Sequence, residues 1–142
     1  MRLITPRLLI TDDDRDFRET LAGALADRGF ETLQAADGEE ALDLVSRQEI
    51  HLLLLDQQMP RLSGLDTIER LRLLDVGGAW RPGLEPTLPL PWILISGALD
   101  EQIVERARAA AAFSVLPKPV RWPELTGAVT RALAQFYDWR AA

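Results

Sequence analysis

Short apolar runs alternate along the chain with longer stretches whose apolar residues recur at helical spacing. Leu8 to Thr11 has the composition of a buried strand. Asp14 to Arg28 follows, with Phe17, Leu21 and Leu25 at four-residue spacing, which predicts a helix. Gly29 marks its end. Phe30 to Gln34 is a more polar strand suited to a position near a sheet edge. Asp37-Gly38 is a turn, and Glu39 to Gln48 is helical around Leu42 and Val45. Ile50 to Leu55 is a largely apolar run ending at Asp56, as expected of a strand covered on both faces. Leu65 to Leu74 predicts the next helix, Trp92 to Ser96 a strand, and Glu101 to Ala112 an alanine-rich helix. Phe113 to Leu116 is a last short strand. Trp122 to Phe136 is a closing helix, with Pro123 in its first turn, where proline is tolerated.

Strand and helix thus alternate five times. That alternation predicts an α/β fold, a doubly wound parallel sheet with helices on both faces. Right-handed crossovers favour the flavodoxin-like (βα)5 arrangement with strand order 2-1-3-4-5. One segment departs from this rhythm. Asp75 to Pro91 is rich in Gly and Pro and predicts a long loop between a helix and the next strand. It would lie at the N-terminal edge of the sheet, away from the edge where such folds carry their chemistry.

Composition narrows the function. The chain has 142 residues, the size of one domain, with 47% hydrophobic residues, enough for a core. The domain is expected over residues 7–136, with 137–142 as a short tail. Acidic residues number 22 against 16 basic ones, a net charge of −6, which argues against direct nucleic-acid binding. There is no cysteine, so disulfides and thiolate metal sites are excluded, and the single histidine, His51, rules out a multi-histidine metal site within one chain. No apolar run approaches the roughly 20 residues of a membrane span. No signal-peptide core precedes the first strand. A cytoplasmic protein without membrane association is the default expectation.

Candidate chemistry gathers at the C-terminal ends of the strands. Asp12 and Asp13 follow the first strand, Asp56 ends the third, Ser96 ends the fourth, and Lys118 follows the fifth. Asp14 is placed as a helix cap. Carboxylates held about 4 Å apart repel by roughly 4 kcal/mol at an effective dielectric near 20. They are relieved by a trapped proton or a bound cation. Clustered carboxylates with few other ligands suit Mg²⁺, a hard ion that keeps water and phosphate oxygens in its shell. A carboxylate is also a competent nucleophile toward phosphorus. Lys118 is placed to neutralise a phosphoryl oxygen, and Ser96 to hydrogen-bond the transferred group.

These residues stand in stretches that together resemble the receiver domain of bacterial response regulators in two-component signalling. The stretches are Leu9-Ile10-Thr11-Asp12-Asp13-Asp14, Ala36-Asp37-Gly38-Glu39-Glu40-Ala41-Leu42, Leu54-Leu55-Asp56-Gln57-Gln58-Met59-Pro60 with Ser63-Gly64, Ile95-Ser96-Gly97, and Lys118-Pro119. The resemblance covers about residues 7 to 136. It implies a phosphorelay switch in which Asp56 becomes an aspartyl phosphate. By the same resemblance Asp13 and Asp56 ligate Mg²⁺ directly, Asp12 acts through water, and the backbone carbonyl of Gln58 completes the protein ligands. Lys118 would pair with the phosphoryl group, Ser96 would turn toward it, and the Lys118-Pro119 bond would be cis. The implied phosphoryl donor is a sensor histidine kinase or a histidine phosphotransfer protein. The implied output is a protein target reached through the fourth and fifth helices; a homodimer is left open. Such a domain catalyses part of its own phosphorylation and dephosphorylation but is not a metabolic enzyme.

Departures accompany the match. Val115 stands three positions before Lys118, where the family usually has an aromatic residue, and Phe113 lies two residues earlier. Ala110-Ala111-Ala112 replaces a pattern with a central glycine. Gln58 and Ala98 occupy positions at which the family tunes phosphoryl lifetime. His51 reads as a surface residue at a strand start. Trp92 is expected in the core, Trp80 in the long loop, and Trp122 and Trp139 either in packing or at a partner surface. Two rival readings compete with the receiver. A pseudo-receiver that binds partners without phosphorylation would not need the full set of Asp12, Asp13, Asp56, Ser96 and Lys118. A Mg²⁺-dependent phosphohydrolase with an aspartyl phosphate commonly has a second Asp two residues after the nucleophile; Gln58 stands there and cannot act as a general acid. No output domain is expected in Phe136 to Ala142. The chain therefore reads as a stand-alone receiver or as a piece of a longer regulator.

Overall fold

The computed structural model describes residues 5–74 and 90–141. Five strands, β1 (Arg7–Thr11), β2 (Glu31–Ala35), β3 (Leu52–Asp56), β4 (Trp92–Ser96) and β5 (Ser114–Pro117), pair in parallel in the order β2-β1-β3-β4-β5. Five helices alternate with them: α1 (Arg15–Asp27), α2 (Gly38–Arg47), α3 (Gly64–Leu74), α4 (Glu101–Ala109) and α5 (Trp122–Tyr137). The strand order matches the sequence expectation. The predicted 75–91 loop, with Trp80, lies outside the described residues except for Leu90 and Pro91.

The alternation of side chains across each strand sorts the core into two layers. Leu8, Ile10, Leu52, Leu54, Ile93 and Ile95 face α1 and α5. Leu9, Leu53, Leu55 and Leu94 face the opposite layer, with Val45, Leu65, Ile68 and Ala107 from α2, α3 and α4. Every residue of β3 and β4 is buried, so these strands have no polar face, as a doubly covered parallel sheet requires. β2 is an edge strand, and only Ala35 of its five residues is buried.

The starts of α1, α2 and α4 follow an Asp cap. Asp14 accepts from Phe17 N, Asp37 from Glu40 N, and Asp100 from Ile103 N. The end of α4 differs from expectation. The helix stops at Ala109 rather than Ala112, because Ala111 takes a left-handed φ of 64°. Ala112 N then bonds Ala107 O, and Ala111 N bonds Arg108 O, closing a Schellman turn. Alanine is costly in that conformation, where glycine is free.

The C-terminal end of α5 corrects two expectations. Tyr137, assigned to a tail, is the last residue of α5 and is buried. His51, expected at the surface, is buried as well. The two rings meet edge to face at 5.4 Å, and the Tyr137 hydroxyl donates to the His51 carbonyl at 2.7 Å. The His51 Nδ1 accepts from Arg7 N at 2.9 Å, and Nε2 lies 2.9 Å from Glu49 Oε1. Apolar periodicity could not anticipate a polar ring whose partners come from β1 and α5. Trp139 packs on Phe30 at 5.3 Å, and the Arg28 guanidinium lies 5.4 Å over Trp122. Both tryptophans thus pack against the α1–α5 layer.

Replacing Ala111→Gly is expected to raise the unfolding free energy by about 0.5–1 kcal/mol, because it relieves the left-handed strain. Replacing Tyr137→Phe is expected to cost about 1 kcal/mol through loss of the buried hydrogen bond to the His51 carbonyl. Urea denaturation followed by tryptophan fluorescence measures both.

Candidate functional site

α1 leaves β1 on one face of the sheet and α3 leaves β3 on the other, so the crevice beyond the C-terminal ends of β1 and β3 is the switch point of this topology. Asp12 and Asp13 follow β1 there, and Asp56 ends β3 beside them. One oxygen from each of the three carboxylates lies within 4.8 Å of the others. Asp12 and Asp56 are 2% and 3% exposed, so water screens little of their repulsion, while Asp13 faces solvent.

Lys118 reaches this cluster from the turn after β5, whose preceding backbone is held by Lys118 N donating to Ser96 O at 2.9 Å. Its ammonium donates to Asp12 Oδ2 at 2.8 Å and lies 3.3 Å from Asp56 Oδ1. The other Asp12 oxygen, Oδ1, accepts from Asp14 N at 2.9 Å. Each Asp12 oxygen thus has a partner. Asp56 Oδ1 is buried and lacks an aligned hydrogen bond, despite the nearby ammonium. The Lys118-Pro119 bond is cis.

The electrostatics follow from this geometry. Burial pushes the Asp56 carboxyl up to about 6, the Asp12 carboxylate adds to the rise, and Lys118 opposes it. For Lys118, burial works against the charge. The hydrogen bond to Asp12 and the charge of Asp56 outweigh that, so its ammonium is held above the usual lysine value.

Ser96 is 1% exposed and ends β4. Its hydroxyl donates to Gln58 Oε1 at 2.9 Å and accepts from Ala98 N at 3.1 Å. Gly97 N donates to the same Gln58 oxygen at 3.2 Å. Asp12, Asp13, Asp56 and Lys118 therefore converge directly, while Ser96 is bonded to its own loop and to Gln58.

Supporting residues escaped the sequence reading. The Phe17 ring lies under Lys118, with the ammonium 4.4 Å from its centroid. Arg18 Nη1 donates to the Asp12 carbonyl at 2.7 Å, and its Nε donates to Gln34. Both residues sit in the first turn of α1, aimed by the Asp14 cap, and that adjacency was the available signal. Gln57 caps α3 through Oε1, which accepts from Leu65 N at 2.9 Å. Gly64 is there because an added Cβ would lie 2.6 Å from the Asp56 carbonyl oxygen.

The family model described as the response regulator receiver domain matches residues 8–130. The chain belongs to the response-regulator receiver family. A response regulator receiver protein of Anaeromyxobacter sp. (strain Fw109-5) is 36% identical over 119 residues, covering 84% of this chain and 45% of the relative. Response regulator MprA of Mycobacterium tuberculosis is 34% identical over 119 residues, covering 84% and 46%. This receiver chain spans about half the length of the curated relatives it matches. Among solved structures, a response regulator receiver protein from Pseudomonas putida superposes with a TM-score of 0.78 at 28% identity, covering 91% of this chain and 98% of that one. A Burkholderia pseudomallei response regulator, described with a phosphorylated aspartic acid, a calcium ion and citrate, superposes at 0.72 with 25% identity, covering 89% and 68%. Chemotaxis protein CheY4 of Vibrio cholerae, at 22% identity and a TM-score of 0.78, shares the fold.

The raised Asp56 value has a thermodynamic consequence. The folded carboxyl titrates at about 6 and the unfolded one at about 3.9. The native state therefore binds the proton more tightly. Stability from this group falls as pH rises through that window and is lowest above about pH 6. In chelator at neutral pH, Asp56→Asn is expected to be more stable than the parent by about 2 kcal/mol, the gap closing by about pH 4. Urea denaturation of both proteins across this range checks the sign.

Proposed function

We propose that this receiver is a phosphorelay switch in which Asp56 accepts a phosphoryl group from a phosphohistidine. The donor is a sensor histidine kinase or a histidine phosphotransfer protein. The observation that carries the reading is Asp56 Oδ1, buried, without an aligned hydrogen bond, and 3.3 Å from the Lys118 ammonium.

The donor set fits a divalent cation. Three carboxylate oxygens gather within 4.8 Å, and oxygen ligands few in number suit Mg²⁺. Asp13 and Asp56 would hold the ion directly, together with the backbone carbonyl of Gln58. Asp12, each of whose oxygens already accepts one bond, would act through water. When bound, Mg²⁺ supplies charge neutralisation for the phosphoryl oxygens.

An Asp56 carboxylate oxygen attacks the phosphorus. The phosphorus–nitrogen bond to the donor imidazole breaks, and its electron pair stays on that nitrogen. A carboxyl titrating at about 6 is mostly ionised at neutral pH, so the nucleophile is available. Lys118 balances the added charge, and Ser96 hydrogen-bonds the transferred group. The domain catalyses its own phosphorylation and the later hydrolysis of the acyl phosphate, and has no metabolic substrate. The signal leaves through protein contacts of α4 and α5. A cytoplasmic setting fits this role, and no helix among the described residues is long and apolar enough to cross a membrane.

Exposure to acetyl phosphate with Mg²⁺ is expected to add one phosphoryl group by mass spectrometry, lost in Asp56→Asn. Absence of any adduct, together with no Mg²⁺ affinity, would leave a pseudo-receiver. Steady turnover of unrelated phosphate esters would point to a phosphohydrolase. Protons compete with the cation for Asp56, so Mg²⁺ affinity is expected to weaken up to about tenfold per pH unit below about 6. Titration calorimetry reads that slope.

A further inference from the structure

We infer that the Gln58 side chain is a latch that holds the Ser96 hydroxyl away from the acceptor until the anion on Asp56 draws it off. The inference rests on the phosphoacceptor reading and assigns a positioning residue within it. Gln58 Oε1 accepts two bonds from the β4–α4 loop, from Ser96 Oγ at 2.9 Å and from Gly97 N at 3.2 Å. Ser96 Oγ in turn accepts from Ala98 N at 3.1 Å. A hydroxyl has one proton to donate, and here Gln58 holds it. The buried Ser96 therefore cannot donate to the neighbourhood of Asp56 without releasing Gln58.

The two sides of this competition differ in character. The bond to Gln58 is neutral, and Gln58 is solvent-exposed, so water replaces its partners at little cost. A bond from Ser96 to a phosphoryl oxygen is charge-assisted and roughly twice as strong. The latch is therefore closed when Asp56 is free and yields when Asp56 carries an anionic group. Its release frees Gly97 N and loosens the start of α4 from the β3–α3 loop, which links the acceptor to the helix proposed for output.

Two readouts test this. In the metal-free protein, Gln58→Ala is expected to shift the Gly97 amide resonance and speed its hydrogen exchange about fivefold, the loss of one hydrogen bond. Beryllofluoride with Mg²⁺, a phosphoryl mimic, is expected to bind Gln58→Ala about threefold to tenfold more tightly than the parent. That gain should vanish in the Ser96→Ala background, since no hydroxyl remains to be released. Gln58→Met, which keeps side-chain length without an acceptor, should repeat the alanine result. Tight binding of beryllofluoride that is indifferent to Gln58 would overturn the latch and leave the phosphoacceptor reading standing. Binding by neither protein would overturn both. A Gly97 amide unmoved by Gln58→Ala would overturn the latch alone.

Discussion

Three carboxylates and one ammonium share the C-terminal edge of the sheet, an excess of −3 + 1 = −2 among these four groups. Two of the carboxylates are buried, where repulsion at about 4 Å amounts to roughly 4 kcal/mol at an effective dielectric near 20. Lys118 satisfies Asp12 and leaves Asp56 short of a partner. Burial, with the Asp12 charge adding to it, leaves the Asp56 carboxyl titrating at about 6. A site in this condition favours whatever brings positive charge to it, and tolerates a new anion only with such help.

The fold is what sustains that imbalance. Leu52 to Leu55 run buried along the full length of β3 and fix where Asp56 emerges. The parallel pairing of β1 with β3 brings Asp12 and Asp13 alongside. Around the edge, Arg18 grips the Asp12 carbonyl, Phe17 lies against the Lys118 ammonium, and Gly64 lets the chain fold tightly over Asp56. At the far edge of the sheet, His51 and Tyr137 tie β1, β3 and α5 together.

The chain departs from the family pattern at Val115 of β5. This residue packs in the layer facing α4, whereas Phe113 packs edge to face with Phe136 of α5 at 6.3 Å. Phe113 is thus committed to the opposite layer and does not stand in for an aromatic at Val115. The contacts that do join the acceptor loop to the start of α4 are polar, through Gln58, Ser96 and Gly97.

Much of this was legible in the sequence. Apolar runs and helical periodicity determined five strands and five helices in alternation, and the flavodoxin-like arrangement expected of that alternation has the strand order observed. Residues at strand ends determined which side chains could meet, because a parallel sheet delivers all such ends to one edge. Local capping placed Asp14 correctly. What required the tertiary structure is every choice between partners. Lys118 could have paired with any of the three carboxylates, and only the packed geometry assigns its shorter contact to Asp12. His51 had no apolar signature, and its burial arises from partners on β1 and α5 that are distant in sequence. The helix end at Ala111 turned on a single left-handed residue that alanine propensity argues against. Periodicity records which face a residue turns to the core. Hydrogen bonding between remote polar groups depends on distances that only the folded chain sets.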